Sequence, residues 1–297
     1  MTDTFSAFAA GARPRTLPAA LAPILAGIAS AIQVSGAAVN ARFWGVAALC
    51  FLVALALQVG VNYANDYSDG IRGTDDDRVG PTRLVASGLA RPGAVKAAAF
   101  ASFGVAAVAG LVVVILTGHW WLLGVGAAAI VAAWFYTGGS HPYGYLGLGE
   151  VFVFIFFGLV ATVGTTYVLV DSSPAWSWAA AVSIGSLASA LLVVNNLRDI
   201  GTDRLSGKRT LATKLGDAAT RWFYVALVAV AVGGVVVFAS LTAWWALLAL
   251  LALGVLVLPV RDLLLGARGR ALIGALQATG MAELGVGLGL LVGVFIG

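Results

Sequence analysis

Two acidic clusters, each at the end of a long apolar run, hold the side chains best suited to chemistry. Their members stand at i, i+4 and then i+7 or i+8, namely Asn62, Asp66 and Asp69 in the first and Asn195, Asp199 and Asp203 in the second. At these spacings the three side chains of each set share one helix face. The same offset in sequence separates Asn62 from Asn195 and Asp66 from Asp199, which indicates an internal duplication.

A basic segment follows each cluster. Residues 81–88 contain Arg83, and residues 207–214 contain Lys208, Arg209 and Lys214. Both copies lie at the same end of their apolar runs, which predicts a parallel rather than an inverted repeat.

Clustered carboxylates repel one another unless cations neutralise them, and Mg²⁺ prefers oxygen ligands and keeps phosphate oxygens in its shell. Two facing sets could therefore hold a diphosphate through bridging Mg²⁺ and stabilise it as a leaving group. Predicted metal ligands are Asp66, Asp69, Asp75, Asp199 and Asp203, and all except Asp75 are also predicted to be catalytic. Predicted diphosphate-binding residues, mostly cations and amides, are Asn62, Asn65, Arg72, Arg83, Asn195, Arg198, Lys208 and Arg209.

Two less specific interpretations of these clusters stay open. Each could be a solvated polar loop held by ion pairs, although two matched copies favour a shared site. A regulatory calcium site is the other, although the loops lack EF-hand spacing.

Composition indicates that membrane helices carry the two clusters. Of 297 residues, 61% are hydrophobic and only 10% are charged, whereas soluble proteins have about 25% charged residues. One cysteine and two histidines exclude a disulfide or zinc scaffold, and the alternation of an outer-membrane barrel is absent. The sequence predicts an all-α bundle of nine transmembrane helices around a central cavity, at about residues 17–36, 43–64, 95–117, 120–137, 149–170, 176–197, 221–241, 243–260 and 272–296.

The basic residues predict the orientation of this bundle. With nine spans, every Lys and Arg except Arg42 falls on or borders the side that carries the acidic clusters. The positive-inside rule then places the N-terminus and the clusters in the cytoplasm and the C-terminus outside. We expect a single domain over residues 1–297 with polar cap loops at 65–94 and 198–220. No cleavable signal peptide is expected, because the first apolar run continues past any plausible cleavage site.

The chain resembles the UbiA superfamily of intramembrane prenyltransferases, and within it the 1,4-dihydroxy-2-naphthoate polyprenyltransferases of menaquinone biosynthesis. The motifs that carry the resemblance are Ala-Arg-Pro-Arg-Thr-Leu-Pro at 12–18, Asn-Asp-Tyr-Ser-Asp-Gly at 65–70 through Gly-Pro at 80–81, His-Pro-Tyr-Gly-Tyr-Leu-Gly-Leu-Gly-Glu at 141–150, and Asn-Asn-Leu-Arg-Asp at 195–199 through Gly-Lys-Arg-Thr-Leu-Ala at 207–212. They extend from about residue 12 to residue 216. One departure from the superfamily pattern Asn-Asp-xx-Asp-xxx-Asp is Gly73 at its last position, with Asp75 two residues later.

The resemblance implies nine transmembrane helices, a Mg²⁺ cofactor and a location in the cell membrane. It implies that a polyprenyl diphosphate loses diphosphate and that the ring of 1,4-dihydroxy-2-naphthoate attacks the allylic cation. Carbon dioxide leaves, and the product is a demethylmenaquinol. The implied partners are the two substrates and the lipid bilayer, with no nucleic acid.

The acceptor that the resemblance implies is an anionic aromatic acid, and its predicted binding residues are Arg13, Arg15, Tyr63, His141, Tyr143 and Glu150. The two arginines and His141 could meet its carboxylate, and Glu150 could accept a hydroxyl hydrogen bond or a proton. Aromatic faces could stabilise a cation, and the candidates are Tyr63, Tyr67, Tyr136, Tyr143 and Tyr145. The alternatives are a topology signal for the arginines, a plain loop role for His141 and an interfacial belt for the tyrosines.

Three further questions stay open at this point. Glu283 lies within the last span, where an acid either serves function or donates a structural hydrogen bond while protonated. Another aromatic acceptor, such as hydroxybenzoate, homogentisate or a tetrapyrrole, would need the same acidic clusters. A transporter or channel is the reading from another class, although its charges should lie near the membrane midplane.

Overall fold

The computed structural model describes residues 4–35, 39–73 and 83–297, and every regular element in these ranges is a helix. The predicted all-α class is therefore confirmed. We number the helices α1 (Thr4–Gly11), α2 (Pro18–Ser35), α3 (Ala41–Ile71), α4 (Pro92–Thr117), α5 (Leu122–Phe135), α6 (Gly149–Val170), α7 (Ala175–Arg198), α8 (Ile200–Leu205), α9 (Leu211–Leu215), α10 (Asp217–Leu241), α11 (Trp244–Leu264) and α12 (Gly269–Ile296).

The apolar helices coincide with the predicted spans. In the described part of the chain, seven of them are long and apolar enough to cross a membrane: α3, α4, α6, α7, α10, α11 and α12. The remaining two predicted spans correspond to the shorter apolar helices Pro18–Val34 and Leu122–Phe135. In the bundle, α3 packs mainly on α4, α7 on α10, and α12 on α2.

The helix α3 is longer than the apolar run that predicted it. Its 31 residues correspond to about 46 Å at 1.5 Å per residue, which exceeds the roughly 30 Å hydrocarbon core of a bilayer. The helix begins where the Asn40 side chain accepts a hydrogen bond from the Phe43 N–H at 3.1 Å and ends at Ile71. Asp66 and Asp69 therefore lie on the last turns of a continuous helix, and not in the loop expected to begin at residue 65.

The second acidic cluster spans a helix junction. Asn195 lies in the last turn of α7, Asp199 caps that helix, and Asp203 lies in the short helix α8. The backbone N–H of Asp203 donates to the Asp199 carbonyl at 2.8 Å, so helical hydrogen bonding resumes directly after the junction. The predicted cap loop at 198–220 thus contains the helices α8 and α9.

Small residues allow the helices to approach closely, as expected where packing and not hydrophobicity drives association. A Cβ added to Gly293 of α12 would lie 2.4 Å from the Ala246 Cα of α11, and one added to Gly158 of α6 would lie 2.6 Å from the Gly185 Cα of α7. Residues Phe154–Val160 of α6 form a π-helical turn at this second contact. The contacts of α11 with α12 and of α6 with α7 therefore leave no room for a side chain at these glycines.

Candidate active site

A cavity of about 1890 Å³ opens where the two acidic clusters lie and continues among apolar helices. On α3 its lining residues recur at helical spacing from Cys50 to Asp69, which corresponds to about 28 Å along the helix axis. The clusters contribute polar side chains at one end, and the rest of the wall is mostly apolar. Such a cavity suits a molecule with a charged head and a long hydrocarbon tail.

Asp69 links the first acidic cluster to the second basic segment at the cavity mouth. Its Oδ1 accepts a hydrogen bond of 2.5 Å from the Tyr145 hydroxyl, and its Oδ2 lies 3.4 Å from the Nζ of Lys208. The Lys208 ammonium also lies 4.7 Å from the centre of the Tyr145 ring. All three side chains line the cavity. The structure therefore brings the first acidic cluster and the second basic segment together.

Asp66 is oriented away from the cavity wall and binds backbone instead. It is fully buried, its Oδ2 accepts from the Leu84 N–H at 2.9 Å, and its Oδ1 accepts from the Val85 N–H at 3.1 Å. These bonds anchor the segment that carries Arg83, which does line the cavity. The predicted role of Asp66 as a metal ligand stays a prediction.

The amides of the first cluster hold neighbouring segments against α3. Asn62 donates from its side chain to the Ala12 carbonyl at 2.9 Å and to the Thr16 hydroxyl at 3.1 Å. Asn65 accepts from the Thr137 hydroxyl at 2.8 Å. Both amides line the cavity. They therefore position the N-terminal segment and the start of the α5–α6 connection around the mouth.

In the second cluster, Arg198 is the central residue. Its guanidinium donates to both carboxylate oxygens of Asp199 at 2.7 Å and to the Asn195 side-chain oxygen at 2.9 Å. Arg198, Asn195 and Asp203 line the cavity. Asp199 thus faces a cation of its own cluster, and Asp203 is the acid of this cluster that reaches the cavity wall.

The α5–α6 connection forms hydrogen bonds with basic residues that follow the first acidic cluster and the second one. Arg72 donates to the carbonyls of Thr137 and Gly139, and its guanidinium carbon lies 5.6 Å from the Tyr145 ring centre. On the other side, the Arg209 N–H donates to the Tyr145 carbonyl at 3.0 Å. Tyr145 therefore lies between cations from the two halves of the repeat.

The acids at the mouth alternate with cations. The described residues contain no group of three or more His, Cys, Asp or Glu side chains that could hold a metal ion by themselves. Mg²⁺ is commonly bound by one or two carboxylates together with substrate phosphates, and Asp69 and Asp203 on the cavity wall fit that arrangement. Asp75, the remaining predicted ligand, lies outside the described residues.

Comparison with known sequences identifies the family. A profile described as the UbiA prenyltransferase family matches residues 8–276. The chain belongs to the UbiA prenyltransferase family. It is 50% identical over 282 residues to a 1,4-dihydroxy-2-naphthoate octaprenyltransferase of Mycobacterium tuberculosis, a match that covers 95% of this chain and 94% of that relative.

Solved structures show the same fold. A structure of digeranylgeranylglyceryl phosphate synthase aligns over 99% of each chain with a TM-score of 0.66 at 15% identity. A UbiA homologue from Archaeoglobus fulgidus, bound to GPP and Mg²⁺, aligns over 97% of this chain and 100% of that chain with a TM-score of 0.58 at 14% identity. The UbiA fold expected from the sequence is therefore confirmed, and the predicted count of nine transmembrane helices stays a prediction.

Within this UbiA-family cavity, the residues predicted to bind the acceptor separate into two groups. Arg13, in the left-handed conformation with φ of 54°, and Tyr143 line the cavity. The Tyr143 hydroxyl donates to the Ala132 carbonyl at 2.9 Å, and burial raises the pKa of this hydroxyl. Its ring stacks on Phe152 with the ring centres 4.0 Å apart. Tyr143 therefore presents a ring face and not a free hydroxyl.

The other predicted acceptor residues are placed elsewhere. Tyr63 donates to the Phe8 carbonyl at 2.8 Å, and exposed His141 contacts the Ser140 hydroxyl at 3.0 Å. Neither of them lines the described cavity, and neither do Glu150, Arg72 or Arg209. The side chain of Arg15 lies outside the described part of the structure. These residues stay predictions as acceptor or diphosphate ligands.

The sequence did not single out Thr16, Thr137 or Asn196, which the structure places on the cavity wall. Asn196 directly follows Asn195, and this doubled amide was the signal that could have identified it. Thr16 and Thr137 lie in connections between helices, where no periodicity marks the side that faces inward. Glu283 of α12 is fully buried, and its carboxyl oxygens have no hydrogen-bond partner among the described residues.

Proposed function

We propose that the chain transfers a polyprenyl group from a polyprenyl diphosphate to 1,4-dihydroxy-2-naphthoate, with loss of diphosphate and carbon dioxide. The product is a demethylmenaquinol, an intermediate of menaquinone biosynthesis. The observation that carries this proposal is the long cavity whose polar mouth links the first acidic cluster to the second basic segment through Asp69, Tyr145 and Lys208. The 50% identical relative from M. tuberculosis, a 1,4-dihydroxy-2-naphthoate octaprenyltransferase, supports the choice of acceptor.

The mouth is suited to the diphosphate. Lys208, Arg198 and Arg83 line it and can neutralise phosphate oxygens. Asp69 and Asp203 would hold Mg²⁺ there, with Asp66, Asp75 and Asp199 as the further predicted ligands. Bound Mg²⁺ would stabilise the negative charge that develops on the leaving diphosphate. The A. fulgidus homologue, which binds GPP and Mg²⁺, supports this assignment.

The apolar part of the cavity is suited to the prenyl chain and to a cationic intermediate. Its walls come from long apolar helices, so a hydrocarbon tail meets a mostly apolar surface beyond the mouth. The dry surroundings protect an allylic cation from water. The ring face of Tyr143, which lines the cavity, can stabilise such a cation.

Bond changes then follow from the two substrates. The bond between the prenyl C1 and the diphosphate oxygen breaks, and the ring carbon that bears the carboxylate bonds to C1. The bond from that carbon to the carboxylate breaks, and carbon dioxide leaves. Arg13 lies on the cavity wall. We assign to it the binding of the acceptor carboxylate before carbon dioxide leaves.

The orientation is part of the same proposal. We place the chain in the cell membrane with the mouth on the cytoplasmic side, because the clusters share their side with nearly all the lysines and arginines. Both substrates are charged and reach the mouth from the cytoplasm. The C-terminus would then lie outside.

The experiment is product analysis with a panel of acceptors. Membranes that contain the protein are incubated with labelled polyprenyl diphosphate, Mg²⁺ and one acceptor, and the lipid products are identified by mass. We expect a decarboxylated prenyl-naphthalenediol only with 1,4-dihydroxy-2-naphthoate. A prenylated product with hydroxybenzoate or homogentisate instead would show that the proposed acceptor is wrong. Substrate flux into vesicles without any new product would show that the protein is a transporter and not a prenyltransferase.

A further inference from the structure

Glu150, at the start of α6, forms a buried contact with Asn196 at the end of α7. The Asn196 Nδ2 donates to the Glu150 Oε1 at 2.9 Å, and the two residues are only 8% and 4% exposed. The Ser189 hydroxyl donates to the Glu150 backbone carbonyl at 3.1 Å, which fixes α6 against α7 at the same level. The other carboxyl oxygen, Oε2, has no hydrogen-bond partner among the described residues.

The contact determines how the Asn196 amide is turned. A side-chain amide has an NH₂ group that donates and a carbonyl oxygen that accepts. The NH₂ group is directed to Glu150, so the carbonyl oxygen is directed to another side. Asn196 lines the cavity, whereas Glu150 does not. Among the described residues, no donor contacts the Asn196 carbonyl oxygen.

We infer that Glu150 is a positioning residue that holds Asn196 so that its carbonyl oxygen accepts a hydrogen bond from a ring hydroxyl of the aromatic acceptor. The inference rests on the proposed function and adds to it a residue that recognises the substrate. In this inference Asn196 contacts the acceptor, and Glu150 acts through Asn196 without contacting the acceptor itself.

Donor and acceptor chemistry selects the hydroxyl. A carbonyl oxygen can only accept, and the oxygens of an ionised diphosphate also only accept, so these two do not form a hydrogen bond. The prenyl chain has no polar atoms. Of the organic substrates, only the dihydroxy acid carries hydroxyl donors. A carbonyl oxygen is also a ligand for Mg²⁺. The experiment below distinguishes Mg²⁺ binding by Asn196 from a hydrogen bond to the acceptor hydroxyl.

The burial of Glu150 agrees with this role. Buried polar groups in proteins are almost always hydrogen-bonded, and an exception calls for a reason. Asn196 provides the hydrogen bond that the Glu150 carboxyl makes to a side chain, and no other described side chain bonds to it. The hydrogen bond to Asn196 is therefore the main interaction of the Glu150 carboxyl with the described residues, and it orients the Asn196 amide.

The test compares apparent KM values for both substrates in purified full-length protein. Loss of one hydrogen bond in a buried site changes an equilibrium by about tenfold or more, so Asn196→Ala should raise the KM for the naphthoate by that factor. The KM for polyprenyl diphosphate and the Mg²⁺ concentration for half-maximal rate should change less than about twofold. Glu150→Leu should raise the KM for the naphthoate in the same way. Glu150→Gln should keep the wild-type KM, because the Gln side-chain oxygen still accepts from Asn196.

A double variant tests whether Glu150 acts through Asn196. Effects of residues in one network are not additive, so Glu150→Leu/Asn196→Ala should have the same acceptor KM as Asn196→Ala alone. Multiplying effects would give Glu150 a separate role and overturn the inference. The matched control is Ser183→Ala on the same helix, which loses one buried hydrogen bond, to the Ala231 carbonyl. Ser183 does not line the cavity, so its acceptor KM should stay unchanged.

Wild-type protein gives an answer that needs no variant to fold. Naphthoates that lack the 1-hydroxyl or the 4-hydroxyl are tested as competitive inhibitors, and one of them should bind about tenfold more weakly than the other. In Asn196→Ala this difference should disappear. Equal inhibition by both compounds in wild type, or a change confined to Mg²⁺ or diphosphate constants in the variant, overturns the inference. If wild type does not prenylate the naphthoate at all, the proposed function fails first.

Discussion

Replacement of Asp66 by alanine should destabilise the protein as well as inactivate it. The carboxylate accepts the N–H groups of Leu84 and Val85 at 2.9 and 3.1 Å, and Asp66 is fully buried. Hydrogen bonds to a charged group contribute about 1.5–3 kcal/mol each, so two of them set a loss on the order of 3–6 kcal/mol. That is a large fraction of a typical free energy of unfolding of about 5–15 kcal/mol.

The assay is thermal unfolding of purified protein in detergent, together with turnover in membranes. At roughly 2 °C per kcal/mol for a chain of this size, we expect Asp66→Ala to lower Tm by about 6–12 °C. Asp66→Asn keeps one acceptor oxygen and should lie between the variant and wild type. The matched variant is Asp69→Ala, because Asp69 is on the same helix face but its partners Tyr145 and Lys208 line the open cavity.

Asp69→Ala should therefore abolish turnover with a smaller decrease in Tm, since water can reach the partners left behind. An unchanged Tm in Asp66→Ala would refute the anchoring of residues 83–85 by this carboxylate. Near-normal turnover in Asp66→Ala at limiting Mg²⁺ would remove Asp66 from the predicted metal ligands.

Three other outcomes test different parts of the molecule. Lys208→Ala should raise the KM for polyprenyl diphosphate by about tenfold and the KM for the acceptor much less, and an equal rise in both would contradict the assignment of Lys208 to the diphosphate. Removal of Mg²⁺ with a chelator should stop turnover, and added Mg²⁺ should restore turnover in wild type. Asp203→Ala should stay inactive even at high Mg²⁺, and recovery of turnover in this variant would show that Asp203 is dispensable. Gly293→Val should lower Tm, because a Cβ at this position would lie 2.4 Å from the Ala246 Cα, whereas Gly274→Val, with open space around it, should not; equal Tm values for the two variants would refute this close packing.

The helices of this protein could be predicted from the sequence because their cause is local. A run of apolar residues of bilayer length must satisfy its backbone hydrogen bonds within itself, so hydropathy located the apolar helices that the described ranges contain. The end of α3 could not be predicted in this way. Hydropathy marks immersion in lipid, whereas the helix continues through polar residues to Ile71 for as long as its backbone bonds continue.

The candidate site could be predicted in composition but not in detail. Spacing showed that Asn62, Asp66 and Asp69 share a helix face, and the duplication indicated that the two clusters meet. Spacing does not show which neighbour each side chain contacts. Backbone N–H groups from residues 84 and 85 bind Asp66, while Asp69 remains at the cavity with Tyr145 and Lys208.

The same limit explains the predicted acceptor residues. His141 and Glu150 were chosen for their chemistry, but the tertiary structure exposes the first and places Asn196 between the second and the cavity. The membrane class, the positions of the apolar helices, the family and the residue types at the mouth follow from composition, local spacing and motifs. Which of those side chains face the cavity depends on contacts between segments far apart in the chain, so it became clear only in the folded protein.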